Sequence, residues 1–487
     1  MSDPGSRDEE RIRILEFQLD HLRAELLHLT HERYRLIYSV SGHIYRFLRP
    51  IEQRLADAGA AIAGRFQSKA EQSQPSAEAP APERAFQSLP ARRLLIDVTG
   101  TIKRDAGTGI QRVVKEVARA CHSGASFEIP ALAVRCEGGR LYTANAFTAA
   151  LGGAEAGADT EVSIEPGDRF LMLSDSWNAF EELTRTASLP ARSPTSAPED
   201  AQSVFDRIRA QGGEIVSCIF DLIPELYPHA CHEVTVPRYR AWLRKALIES
   251  DAFLAISRTV AEEVAQYVAV SGLPHRPGLK IGWFQCGADL AAPATLTPRR
   301  KIATAVTGDA PVFLMVGTIE PRKGHRVALQ AFDALWRSDV DSRLVIVGRR
   351  GWFEEAIVEA IRNHREFGRR LFWFDDVDDG ELSYLYDHVR ALILPSYAEG
   401  FGLPIVEAAL RGRPVICSDI PVFREVGRNG AIYFRANDPD ALAEAILGFL
   451  KGNRIADPAC ALIVSWSDAA RRIVDVVARE DWLTRLP

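Results

Sequence analysis

Residues 391–407 read ALILPSYAEGFGLPIVE, and this stretch decides the fold. Ala391–Leu394 is a short unbroken apolar run, the pattern of a strand buried on both faces of a parallel sheet. The chain then turns through Gly400 and Gly402 and is expected to open a helix at Pro404. Proline suits the first helical position, because its missing N–H would be unpaired there anyway. Glycines let a backbone approach a ligand closely, and the free amides of a helix start attract a diphosphate. Glu399 stands before the turn and Glu407 a turn into the helix. Each can therefore hold a different part of one ligand whose phosphates fall between them. Carboxylates suit sugar hydroxyls because each accepts several hydrogen bonds.

Outward from this stretch the same alternation repeats. Apolar runs at 312–316, 344–347, 371–374 and 415–417 alternate with helical patterns. An earlier series has runs at 94–98, 170–173, 215–220 and 253–256, with an amphipathic segment at 110–120. Two successive β/α series predict an α/β protein of two doubly wound domains facing a cleft, with ligands beyond the carboxyl ends of the strands. After the first strand of the second series comes VGTIEPRKG (316–324). Departure of a nucleoside diphosphate develops negative charge, which the fixed cations Arg322 and Lys323 can stabilise without a metal. A lone Arg-Lys pair would read as an exposed surface face. Its place after a buried strand, in the domain that holds both glutamates, favours a site.

These segments resemble glycosyltransferase family 4, retaining enzymes of the GT-B fold. The resemblance rests on VGTIEPRKG (316–324), LVIVGRRGW (344–352), the EL..LY pattern at 381–386 and PSYAEGFGLPIVEA (395–408). In the first domain DVTGTIKRDAGTGIQRVV (97–114), FDLIPELYP (220–228) and IGWFQCGADL (281–290) are also similar to that family, so it spans about 94 to 450. It implies that Glu399 and the amides of Gly400, Phe401 and Gly402 hold the donor sugar, Glu407 the ribose, and Arg322 with Lys323 the diphosphate. Gly317, Thr318 and Leu403 would complete the donor site, with Val377 along the base through backbone groups. Gly107 and Gly109 would form the first-domain loop that closes on the phosphates and acceptor, with Asp221 on the same side. Many relatives have Arg where this chain has Thr318, which leaves Arg322 more of the cation's task. Many have His before the Asp, where this chain has Phe220, which bears on the contact to the sugar 6-hydroxyl. The spelling GTIEPRKG is most similar to mannosyltransferases of the family and implies GDP-mannose as donor.

The rest of the sequence bounds the reading. With 487 residues, 47% hydrophobic and 25% charged, the chain has the balance of a soluble protein with two globular domains and extras. A net charge of -6 gives no reason to expect nucleic acid as a partner. No apolar run approaches the roughly 18 residues of a spanning helix, and the charged N-terminal stretch has no secretory signal pattern. Cys121, Cys136, Cys218, Cys231, Cys286, Cys417 and Cys460 are scattered without a Cys-x-x-Cys pair, which reads as reduced thiols in a cytosol.

Ile12, Leu15, Leu19, Leu22, Leu26, Leu29 and Leu36 recur three and four apart, with Arg33 in the one polar position. That is a heptad seam, which predicts either a homo-oligomer through 12–36 or a helix packed on its own catalytic domain. Residues 39–55 put Val40, Ile44, Phe47, Leu48, Ile51 and Leu55 on a broad face beside His43, Arg46, Arg49 and Arg54. This suits an inner-membrane surface with anionic lipid, or a continued stalk. Residues 67–84 (QSKAEQSQPSAEAPAPER) read as a disordered linker. The expected organisation is coiled coil and basic helix over 1–66, linker over 67–90, acceptor-side domain over 91–295, nucleotide-sugar domain over 296–466, and a C-terminal helix docking back over 467–487.

Three look-alikes carry other chemistries. Asp376 and Asp378 match an Asp-x-Asp metal motif, but with Asp375 and Asp379 they precede a helix expected near Glu381, where the dipole favours acids. His229, Cys231 and His232 lack the further pair that zinc needs. GTGIQR (107–112) begins like a dinucleotide fingerprint, yet Arg112 replaces the third glycine. The sequence therefore predicts no metal and no cofactor; the resemblance implies retaining transfer of a hexose, and the N-terminal stalk and basic helix suggest a growing, lipid-linked bacterial polysaccharide as acceptor. The alternatives are a UDP-sugar enzyme with a soluble acceptor, and a non-catalytic scaffold whose coiled coil mediates assembly.

Overall fold

The structure, a computed structural model, describes residues 89–487 apart from 106, 123–126, 153–156, 174–179, 181–182, 185–202, 290–296 and 352–354. The expected seam at 12–36, the basic face at 39–55 and the linker up to residue 88 lie outside the described residues.

The first sheet contains β1 (Leu94–Asp97), β2 (Ala131–Glu137), β3 (Arg140–Thr143), β4 (Arg169–Met172), β5 (Glu214–Ile219), β6 (Ala252–Ala255) and β7 (Lys280–Trp283). The second contains β8 (Val312–Val316), β9 (Arg343–Val347), β10 (Leu371–Phe374), β11 (Ala391–Leu394), β12 (Val415–Ser418) and β13 (Ala431–Phe434). The last strand, β14 (Thr484–Arg485), returns to the edge of the first sheet. The first sheet has the order β14-β7-β6-β5-β4-β1-β2-β3 and the second β10-β9-β8-β11-β12-β13. All pairings are parallel except β2 with β3 and β7 with β14. The predicted pair of doubly wound α/β domains is what forms.

The strands form where they do because parallel strands lie between two helical layers and must be apolar on both faces. β1, β4, β5, β6, β11 and β12 are buried at every position. Expected strand ends are off by a residue in several places; β5, for example, stops at Ile219 and leaves Phe220 in the loop. Five strands lay outside the expected runs: β2, which carries Arg135; β3, an antiparallel edge; β7, which opens on Lys280; β13, a four-residue edge strand; and the two-residue β14.

Topology then places the loops. In each sheet the chain runs outward in one direction, then returns and runs the other way. The reversal falls between β1 and β4 in the first sheet and between β8 and β11 in the second. Such switch points open a crevice beyond the strand ends. In the second sheet that crevice is lined by 317–324 after β8 and 395–402 after β11. In the first it receives 98–108 after β1.

The C-terminal helix Trp466–Arg479 packs against the first domain, with Trp466 buried and the backbone of Ser465 and Trp466 pressed on Gly287. A methyl group at Gly287 would lie 2.5 Å from the Trp466 backbone. Beyond the helix, Lys280 binds both Glu214 (2.7 Å) and Glu480 (3.0 Å), with Trp482 beside its ammonium. The segment after the second sheet thus returns to the first domain.

Candidate active site

The two loops at the second switch point touch through glycine. Gly324 has φ 74°, and a Cβ there would lie 2.2 Å from the Pro395 carbonyl oxygen. Only a residue without a side chain permits both the conformation and the approach. The Tyr397 amide donates to the Arg322 carbonyl (3.0 Å), fixing the turn Pro321–Lys323 against the 395–402 loop. That contact directs both cations at one carboxylate. Arg322 donates to Glu399 Oε2 at 2.7 Å, and Lys323 donates to Oε1 at 2.6 Å. Arg322 also donates to the Ala398 carbonyl at 3.2 Å and lies 3.1 Å from Glu320. Gly317, with φ 149°, abuts the Lys323 chain, and Thr318 follows it on the same turn.

The electrostatics follow from this packing. Burial pushes the Glu399 carboxyl up, but Lys323 and Arg322 overrule it and hold the group down at about 2. Burial and the Arg322 charge lower Lys323, against the pull of Glu399. Burial lowers Arg322 too, and Glu399, Glu320 and Asp221 reverse that. Asp221 and Glu320 are both raised by burial, though the cations oppose it. Asp221 reaches this cluster from the first domain, its side chain accepting from the Ile223 amide at 2.9 Å. His325, the next residue after the turn, is driven down to about 3 by burial and is therefore neutral.

The helix after the glycine turn is Leu403–Leu410, with Gly402 before it at φ 102°. It starts one residue earlier than expected, so Pro404 occupies the second position, where its missing N–H is equally harmless. Gly400 is pinned from across the cleft. A Cβ on it would lie 2.1 Å from the Phe220 carbonyl, and Ser257 donates its hydroxyl to the Gly400 carbonyl at 2.8 Å. Phe401 is 3% exposed and its ring belongs to the apolar core. The crossing is reinforced by Glu425, whose carboxylate accepts from the amides of Arg258 (2.9 Å) and Thr259 (2.7 Å) at the start of the helix Arg258–Ser271. Sequence reasoning missed Ser257 and Glu425, because neither lies in a recognisable motif.

Glu407 lies on the same helix as Leu403 and is held from two sides. Tyr386 donates to Oε2 at 2.8 Å, and Arg112 of the first domain pairs with Oε1. Arg112 was weighed in the sequence only as the residue that spoils a dinucleotide fingerprint; its partner is a new finding. The preceding loop supports it. Gly107, with φ 65°, donates its amide to Asp105 (2.9 Å), and Thr108 is tied to Gln111 (2.9 Å). A methyl added at Gly109 would lie 3.8 Å from Leu403, and one at Gly107 3.9 Å from Arg349. The first-domain glycines thus face the second domain, Gly109 at the helix Leu403–Leu410 and Gly107 at the loop after β9.

Val377 is half-buried in the loop between β10 and the helix Asp379–His388. The acids around it have structural partners: Asp376 pairs with Arg299 and Lys301, and Asp378 accepts from the Glu381 amide (2.8 Å) as the helix cap. His229 stacks on Tyr397 at 6.3 Å between ring centres, and Cys231 is buried. Among the described residues no group of three or more His, Cys, Asp or Glu is disposed to hold a metal ion.

Residues 299–461 match the family model described as glycosyl transferases group 1. Over 363 residues the chain is 34% identical to the serotype-specific mannosyltransferase WbdA of Escherichia coli, covering 73% of this chain and 41% of that one. Over 140 residues it is 38% identical to the O-antigen chain mannosyltransferase B of Escherichia coli, covering 28% of this chain and 36% of that one. The chain therefore spans less than half the length of these relatives. Among solved structures, the catalytic domain of starch synthase IV from Arabidopsis thaliana, bound to ADP and acarbose, superposes with a TM-score of 0.51. At 11% identity, over 80% of this chain and 99% of that one, this likeness speaks to fold alone. With the group 1 match lying over the domain that holds both glutamates, and two doubly wound sheets opposed across a cleft, the chain has the GT-B fold and its second domain is that of a group 1 glycosyl transferase.

Proposed function

We propose that the chain transfers a hexose, mannose from GDP-mannose, to a growing lipid-linked bacterial polysaccharide, with retention of configuration and without a metal. The observation that carries this reading is the Glu399 carboxylate held between Arg322 and Lys323 at the mouth of a glycine turn, with Glu407 on the helix that follows. In it, Glu399 and the amides of Gly400, Phe401 and Gly402 hold the sugar, and Glu407 accepts from the ribose hydroxyls. Gly317, Thr318 and Leu403 flank the donor, and the backbone at Val377 meets the base. Gly107, Gly109 and Asp221 form the acceptor side.

The acceptor hydroxyl attacks on the face from which the diphosphate leaves, so no side-chain nucleophile is required. Arg322 and Lys323 stabilise charge as it grows on the leaving phosphates, in a site where burial strengthens each such interaction. Mannose is favoured by relatives whose names describe mannosyltransferases at 34% and 38% identity. A cytoplasmic enzyme at the inner membrane face is favoured by the basic face at 39–55. No helix among the described residues is long and apolar enough to cross a membrane. Self-association belongs to the heptad seam at 12–36.

The test is thermal unfolding with GDP-mannose, other GDP-sugars and UDP-sugars, with and without EDTA, followed by NMR of the product's anomeric carbon. A donor at 100 times its dissociation constant raises stability by about 2.7 kcal/mol. GDP-mannose is expected to do so, to be turned over in EDTA, and to yield the retained anomer. Stabilisation by none of these sugars sinks the enzyme reading; activity lost to EDTA sinks its metal independence.

A further inference from the structure

Arg112 has no place in the reaction as described, yet it holds one of the groups that reaction needs. It lies in the first turn of the helix Gly109–His122, directly after the loop of Gly107 and Gly109, and its amide donates to the Thr108 carbonyl at 3.0 Å. Its guanidinium crosses to the second domain and pairs with Oε1 of Glu407, while the Tyr386 hydroxyl holds Oε2. The Tyr386 side chain is 2% exposed, so that prop is fixed within the second domain. The Arg112 side chain is 41% exposed and sits on the other domain, so that prop depends on how the two domains meet.

A carboxylate offers about four lone-pair sites. Two are taken here, one from each domain, and two remain to accept from a pair of neighbouring hydroxyls. With Tyr386 alone, the carboxylate can still swing about its last bond. The Arg112 Nη1 contact on Oε1 fixes the remaining angle, and the planar guanidinium reaches it in a set orientation that a freely rotating ammonium lacks.

We infer that Arg112 is a positioning residue that sets Glu407 for the ribose hydroxyls only while the first domain is docked, tying nucleoside recognition to closure of the cleft. The inference rests on the reading of Glu407 as the ribose acceptor. Its consequence is order: a nucleoside diphosphate is gripped fully only in the closed enzyme, where the acceptor side is also assembled.

The experiment measures calorimetric dissociation constants of the full-length protein for GDP and for 2′,3′-dideoxy-GDP in the wild type, Arg112→Ala and Arg112→Lys. Hydrogen bonds from two hydroxyls to a charged acceptor predict that the wild type prefers GDP by roughly 30-fold or more. In Arg112→Ala this preference falls at least about threefold, and Arg112→Lys recovers part of the loss. The ratio is insensitive to a general loss of fold or affinity, which acts on both nucleotides alike. A smaller change in Arg112→Ala overturns the positioning role. A wild type that binds both nucleotides equally overturns the ribose reading of Glu407, and the inference with it.

Discussion

Replacing Glu399 by Gln removes a charge while keeping its shape, and the structure sets how much should follow. The carboxyl lies at about 2 in the fold, against an ordinary 4.5. At 1.36 kcal/mol per tenfold change, its ionisation in the folded state contributes about 3 kcal/mol at pH 7. A carboxyl whose folded value is depressed stabilises the fold above its unfolded value. It loses that contribution as pH falls toward the folded one. The window is therefore from about 4.5 down to about 2, and at pH 3.5 the contribution has shrunk to about 2 kcal/mol. Glutamine does not titrate, so the gap between wild type and Glu399→Gln in urea unfolding should narrow by about 1 kcal/mol between pH 7 and pH 3.5. Sugar transfer should be lost at pH 7 in protein that is still folded. A gap independent of pH would show that Lys323 and Arg322 do not hold the carboxylate as the distances of 2.6 and 2.7 Å indicate. Unimpaired transfer would remove Glu399 from the reaction.

Lys323→Ala takes one cation from the leaving phosphates and should lower kcat by about 10²–10³, the effect of losing one preorganised donor to a developing anion. Because burial and Arg322 depress the Lys323 ammonium, the wild-type rate should fall as pH rises through a value below the ordinary 10.5. An alkaline limb that persists in the Ala variant would assign that limb elsewhere. Gly400→Ala forces a methyl to within 2.1 Å of the Phe220 carbonyl, a contact that neither backbone can relieve without moving. About 1–3 kcal/mol of stability should go with it, together with transfer activity, as read by urea midpoints and product formation. Full retention of both would mean that the domains need not approach so closely at this point.

The fold was legible where a strand is buried on both faces and bounded by turns. β8, β10 and β11 have the predicted ends, because their apolar runs stop abruptly at Gly317, Asp375 and Pro395. β7 and β2 were illegible for a reason that the structure supplies. Lys280 is 5% exposed only because Glu214 and Glu480 neutralise it, and Arg135 is paired with Asp159 and stacked on Tyr142. A charge in a strand shortens its apolar run, and although Arg135 also pairs with Glu137 nearby, Asp159, Glu214 and Glu480 compensate these charges from 24 to 200 residues away. Periodicity sees only neighbours in sequence. The helix after the glycine turn shows the same limit on a smaller scale: proline marks a helix start, but it tolerates the first and second positions alike, so its presence leaves one residue of freedom.

The site divides along the same line. Glu399, Arg322, Lys323 and the glycines between them belong to two loops of one domain, and the switch point brings such loops together whatever the details of the chain. Sequence order therefore carried their meeting. The contacts that cross the cleft had no such rule behind them: Arg112 with Glu407 spans 295 positions, Ser257 with Gly400 143, and Glu425 with the Thr259 amide 166. In each, a group on one domain is satisfied only by the other, and a residue so placed shows no distinguishing pattern in its own segment. Glu407 joins the two classes. It stands in the motif that made the site legible, yet one of its two props comes from the opposite domain. If Glu407 holds the ribose as proposed, a carboxylate shared across a cleft lets closure and binding reinforce each other, because whatever steadies one lowers the cost of the other.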